Sequence, residues 1–175
     1  MRSSVLLSSG RYFDFHDLDN AKFGIKEVAH ALSNLCRFGG HCAQFYSVAQ
    51  HSVFVSRVVA PAFALEGLLH DAAEAFLGDV PTPLKQLLPD YQQLENQVEA
   101  KIQEIFQVND WRYNPLIKHA DLIALATERR DLMPPTDDSW AILEGITASP
   151  LRLVPMHPKE AYGAFLARYS ELRER

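Results

Sequence analysis

Cysteine is scarce in this chain. The two present in 175 residues, Cys36 and Cys42, are too few to staple a secreted disulfide scaffold, and no Cys-x-x-Cys pair offers a zinc or redox motif. Long apolar runs are missing as well: none approaches the ~20 residues that cross a bilayer. Residues 1–10 lack the apolar core of a signal peptide. These absences predict a protein without a membrane partner, placed in a reducing cytoplasm. Positive charge is also in short supply. With 17 Lys and Arg against 22 Asp and Glu, the formal charge is -5, which argues against a broad polyanion-binding surface and hence against a nucleic acid polymer as partner. Local basic groups can still hold one phosphate. No internal repeat is visible, and no alternating apolar pattern is long enough to build a sheet.

What the chain does have is helical periodicity and 47% hydrophobic residues, enough for one substantial core. The expectation is an all-α bundle in a single domain over residues 1–175, with a core at 25–133, an amino-terminal arm at 1–24, and a loop and helix at 134–175. Ile25, Val28, Ala29, Leu32 and Leu35 mark a first amphipathic helix ending near Gly39-Gly40. Further helices are expected from Tyr46 to Val59, from Pro61 to Leu77, around Leu84 to Leu88, from Asp90 to Phe106, from Pro115 to Met133, and from Pro158 to Leu172. A turn near Trp140 and an extended piece from Leu151 to Val154 lie between the last two. The faces at Tyr91 to Ile105 and Ala161 to Leu172 can build a homo-oligomer or simply line the chain's own core. Tyr12, Phe13 and Phe15 in the arm can stack on a base or tuck against the core.

Inside this apolar pattern stand ionisable residues that hydrocarbon should replace. His70 and Asp71 interrupt Leu68-Leu69-His70-Asp71-Ala72-Ala73-Glu74-Ala75-Phe76, His51 interrupts Val48-Ala49-Gln50-His51-Ser52-Val53, and Asp121 interrupts Ala120-Asp121-Leu122-Ile123. Burying such groups costs several kcal/mol unless they are paired, hydrogen-bonded or bound to a metal. Mixed nitrogen and oxygen donors suit Mn, Co, Fe, Zn or Ni, and Mg less well. Adjacent helical residues point about 100° apart, so His70 and Asp71 share a metal only if it lies against the helix side between them. Glu74 follows Asp71 by one turn and falls near that point. His30 and His119, each alone, read as ordinary structural histidines, and Asp121 has Lys118 and Arg129 as bland ion-pair partners.

The order His51, His70-Asp71, Asp121 resembles the HD-domain metal-dependent phosphohydrolases. His70-Asp71-Ala72-Ala73-Glu74, Gly78-Asp79-Val80-Pro81-Thr82-Pro83-Leu84-Lys85, Gln50-His51-Ser52 and Arg37-Phe38 are similar to the bacterial 5′-deoxynucleotidases within that superfamily. The resemblance covers residues 25–133. It implies a helical fold with one divalent cation held by His51, His70, Asp71 and Asp121. It also implies that Glu74 and Asp79 orient water or move protons, while Arg37 and Lys85 contact phosphate or sugar and Phe38 borders the substrate. The chain departs in carrying Phe38 where relatives often have Trp, and in a shorter segment between His51 and the His-Asp pair. The expected activity is hydrolysis of the 5′-phosphate of (deoxy)nucleoside monophosphates. A dNTP triphosphohydrolase releasing triphosphate is the alternative, and a non-catalytic nucleotide sensor is the alternative of another class.

Overall fold

Ser4–Leu6 (β1) and Tyr12–Asp14 (β2) pair antiparallel, with Val5 opposite Phe13, in the computed structural model, which describes residues 3–174. Three-residue strands are too short to register as alternation, so this hairpin has no signature in the apolar pattern. Its function is to deliver Phe13 inward. The Phe13 ring is buried and stacks on Phe76 with centroids 4.1 Å apart, and it meets Phe15 and Phe23 edge-on. The arm's phenylalanines are therefore core, whereas Tyr12 is exposed.

Helix α1, Ile25–Asn34, starts where the Gly24 N–H donates to Glu27 Oε2 and buries Val28, Ala29 and Leu32. It stops five residues short of the expected Gly39, because Leu35 turns extended and Cys36 bridges to Ser47. The Arg37–Gly40 turn that follows holds Phe38 at φ 57° and Gly39 at φ 59°, left-handed geometry that is costly for a phenylalanine. The glycine pair is thus part of a separate turn and not a cap of α1.

Helix α2, Val48–Val58, is capped by Ser47, whose Oγ accepts from the Gln50 N–H, and is buried on all sides from Val48 to Ser56. A helix buried on all sides belongs at the centre of a bundle, and α2 packs against α1, α3 (Ala64–Leu69), α7 (Pro115–Leu132) and α8 (Pro158–Arg173). Gly67 lets α2 and α3 approach closely: a Cβ there would meet Val59 Cγ1 at 3.0 Å and Ser56 Cα at 3.5 Å.

The helix expected from Pro61 to Leu77 is broken into α3 and a short α4, Glu74–Leu77. Between them the backbone tightens to three-residue hydrogen bonds, Ala72 N–H to Leu69 O and Glu74 N–H to Asp71 O. The break falls on His70 and Asp71, where such tightening re-aims side chains. Then come α5 (Thr82–Lys85), α6 (Pro89–Phe106) and α7. Residues 133–157 are mostly irregular apart from a turn at Ala141–Leu143. The stretch expected to be extended at 151–154 is held not by strand pairing but by Gln50, which donates to Val154 O and accepts from the Met156 N–H. Val98, Ile102 and Phe106 of α6 and Ala161 and Phe165 of α8 lie in this chain's own core. Those two faces are consumed within the fold. Among the described residues, no helix is long and apolar enough to cross a membrane.

Candidate metal centre

Three helical segments bring the sequence-selected residues to one point. His51 comes from the central helix α2, His70 and Asp71 from the tightened turn after α3, and Asp121 from α7. His51 Nε2 lies 3.3 Å from His70 Nε2, 3.3 Å from Asp71 Oδ2 and 3.4 Å from Asp121 Oδ1. His70 Nε2 lies 3.2 Å from Asp71 Oδ1 and 3.9 Å from Asp121 Oδ1. His30 and His119 lie on the surface, away from the cluster, and are not the hydrogen-bonded core histidines that the apolar pattern suggested.

The other nitrogen of each imidazole fixes its tautomer. His51 Nδ1–H donates to Glu128 Oε1 at 2.6 Å, and His70 Nδ1–H donates to the Gly67 carbonyl at 2.9 Å. A carbonyl can only accept and a carboxylate does so here, so both Nε2 lone pairs face the cluster. Two bare Nε2 atoms 3.3 Å apart, ringed by carboxylate oxygens, repel, so a positive species, either a proton on His51 or a metal cation, belongs between them. Burial and the Arg37 charge act to lower the His51 pKa, but Glu128, Asp121 and Asp71 override them and raise it well above the ordinary histidine value. Burial likewise opposes ionisation of Asp71 and Asp121, yet the two histidines hold both carboxyls well below the usual range. The donor set fits a divalent cation, with His51, His70 and Asp121 within 4.8 Å of one another.

Glu128 is the residue that motif reading missed. It is fully buried, accepts from His51 with one oxygen and takes two N–H groups of Arg37, at 3.2 and 3.0 Å, with the other. In sequence it stands in Thr127-Glu128-Arg129-Arg130, which reads as a solvated charged run. The signal was its spacing: Glu128 follows Asp121 by seven residues, two turns along the same face of α7.

A cleft of about 770 Å³ opens on the cluster. Its lining combines the ionisable Arg37, Asp71, Glu74, Asp79, Lys85 and Asp121 with the apolar Phe38, Leu125, Met133, Trp140 and Ile142. Phe38 and Trp140 face each other with ring centroids 6.5 Å apart, and the Arg129 guanidinium lies 5.1 Å over the Trp140 ring. Arg37 is tied to Glu128 and lies 3.6 Å from Asp71, while Lys85 is tied to Glu95 at 2.6 Å. Glu74 Oε2 and Asp79 Oδ2 are buried atoms without a hydrogen-bond partner among the described residues. Burial raises the Glu74 pKa, Asp71 and Asp79 raise it further, and the result is well above the ordinary glutamate value. Asp79 is also raised, by burial and by Asp71, against the pull of Arg37.

Comparison with known proteins gives a family. Residues 38–121 match the family model described as 5′-deoxynucleotidase YfbR-like. The uncharacterized protein YfdR of Escherichia coli strain K12 is 45% identical over 173 residues, 98% of this chain and 97% of its own. An uncharacterized protein of Rhodobacter capsulatus is 31% identical over 186 residues, covering 94% of this chain and 92% of its own. The family match includes His51, His70, Asp71, Glu74, Asp79, Lys85 and Asp121, and ends before Glu128 and Trp140. An all-helical fold, converging imidazoles and carboxylates, and this similarity together identify the chain as a member of the YfbR-like 5′-deoxynucleotidase family within the HD-domain superfamily.

Proposed function

We propose that the protein is a metal-dependent phosphohydrolase that removes the 5′-phosphate of (deoxy)nucleoside monophosphates. The observation that carries this reading is the pair of buried, unpartnered carboxylate oxygens, Glu74 Oε2 and Asp79 Oδ2, in the same cleft as the His51, His70, Asp71 and Asp121 cluster. A purely structural metal site needs no spare base, whereas hydrolysis does. His51, His70, Asp71 and Asp121 would hold one divalent cation, which when bound supplies Lewis-acid polarisation of phosphoryl oxygen and a water of lowered pKa. Glu74 in its ionised form, a stronger base than an ordinary glutamate because its pKa is raised, accepts the proton of the attacking water, and Asp79 orients that water. Arg37 and Lys85 contribute fixed positive charge toward the phosphate through the N–H groups that Glu128 and Glu95 leave free. Phe38 and Trp140 offer an apolar wall for sugar and base.

The test is a screen of NMPs, dNMPs and dNTPs with Mn, Co, Zn, Fe, Ni or Mg, detecting phosphate and triphosphate separately. Phosphate from monophosphates is the expected result. Triphosphate from dNTPs would replace the nucleotidase reading with a triphosphohydrolase one, and binding without turnover would make the protein a sensor. For assembly, we propose that self-association uses the exposed Leu84, Leu87 and Leu88 around α5, since the apolar faces of α6 and α8 are already buried. A monomer by light scattering would remove that proposal.

A further inference from the structure

Three basic side chains of the cleft differ in how they are held. Arg37 has only 11% of its side chain exposed and is clamped by Glu128, a fully buried carboxylate that also accepts from His51. Lys85 is 25% exposed and sits on Glu95 of α6. The closest acid to each, Glu128 for Arg37 and Glu95 for Lys85, does not belong to the cluster, although Arg37 also lies 3.6 Å from Asp71. Lys118 is different. It stands on α7 one turn before Asp121, its side chain is 62% exposed, and its Nζ lies 2.9 Å from Asp121 Oδ2. Arg37 also reaches a proposed ligand, Asp71, but it is buried and doubly held by Glu128; among the described bases that line the cleft, Lys118 is the mostly exposed one paired with a member of that set.

That pairing has a consequence. A phosphate entering the cleft meets Asp71, Asp121, Glu74 and Asp79, and the ionised carboxylates, Asp71 and Asp121 first, repel it. Arg37 and Lys85 cannot swing to it without stranding Glu128 and Glu95. Once the Asp121 carboxylate is satisfied by a divalent cation, the Lys118 ammonium loses its hold on Asp121 and is free to turn, on a flexible stem, to a phosphate bound beside that cation.

Resting on the phosphohydrolase reading above, we infer that Lys118 is a substrate-binding residue that exchanges Asp121 for the phosphate. It is the mobile clamp of the site, and Arg37 and Lys85 are its fixed walls. This assigns opposite signs to one side chain: Lys118 competes with the cation for Asp121 and assists the phosphate. A side chain that merely propped Asp121 in place would favour both.

The experiment is calorimetric titration of Mn into the protein, and of inorganic phosphate into the Mn-loaded protein, for the unaltered chain, Lys118→Met and Lys118→Arg. Lys118 is solvent-exposed, so neither change disturbs the core. Lys118→Met is expected to bind phosphate at least about tenfold more weakly, the scale of one charge-assisted hydrogen bond, with Mn affinity equal or higher. Lys118→Arg is expected to keep phosphate affinity within about threefold, because the charge and the donors remain. Equal phosphate affinity in Lys118→Met and the unaltered chain overturns the inference, as does a parallel loss of Mn and phosphate, or an unaltered chain that binds no phosphate. The nucleotide screen judges the hydrolase reading separately, since these titrations measure no turnover.

Discussion

Glu128 and Glu74 are both buried glutamates beside the same cluster, and they are opposites. Glu128 has every oxygen engaged, by His51 on one side and Arg37 on the other. Burial pushes its pKa up, but Arg37 and His51 override burial and hold it below the ordinary value. Glu74 has a buried oxygen with no partner, and Asp71 and Asp79 add to burial in raising its pKa. Equal burial therefore produces an anchor in one place and a proton acceptor in the other. The neighbours decide, since a carboxylate ringed by cations is a weaker base than usual and one ringed by carboxylates a stronger one.

The sharpest way to break this contrast is to remove the charge from each residue in turn. Glu74→Gln should keep the fold and metal binding while kcat falls about 10²- to 10⁴-fold, the range for a lost general base. Loss of metal in a calorimetric titration would instead make Glu74 a ligand. Glu128→Ala leaves a buried guanidinium and a buried imidazole without their acceptor, and should cost about 3–5 kcal/mol of stability in denaturant unfolding. A variant as stable as the unaltered protein would mean that Arg37 and His51 find other partners.

Stability against pH separates the pair more finely. The Glu128 pKa is lowered by folding, so its contribution is present above the unfolded value of 4.5 and is lost as pH falls through the folded value. The Glu74 pKa is raised, so its contribution is full below 4.5 and is lost as pH rises toward the folded value. Melting curves of Glu128→Gln should flatten the acid side of the Tm profile, and those of Glu74→Gln the side above pH 4.5. Matching profiles would erase the contrast. The smallest expected effect is on the acid limb of kcat/KM. Asp79 helps to raise the Glu74 pKa, so Asp79→Asn should move that limb to lower pH by about one pH unit, whatever it does to the maximum rate. A limb that stays put would detach it from Glu74.

Much of the site was legible in residue type and spacing. His51, His70, Asp71 and Asp121 stood out because ionisable groups inside apolar helices demand a common partner, and their reactive atoms do meet. Glu128 was hidden by the arginines after it, which make its segment look solvated, although its seven-residue spacing from Asp121 marked the same face. The break after Leu69 was equally hidden. Leu68 through Phe76 is good helical sequence, and only the packing of that segment tightens the turn at His70 and Asp71. Phe38 shows the same limit. Its left-handed backbone cannot be read from a phenylalanine, because the local cost is met by contacts made elsewhere.

Residue type and spacing alone determined a helical chain with a buried nitrogen and oxygen donor set, since periodicity and the cost of burying charge are local properties of a sequence. Tertiary structure alone decided which charges became fixed and which stayed mobile or unpaired. Arg37 meets Glu128 across 91 positions and His51 meets it across 77. No local pattern specifies such pairs. They form because the packing of α2 against α7 brings distant groups together in a medium where an ion must have a partner or change its protonation.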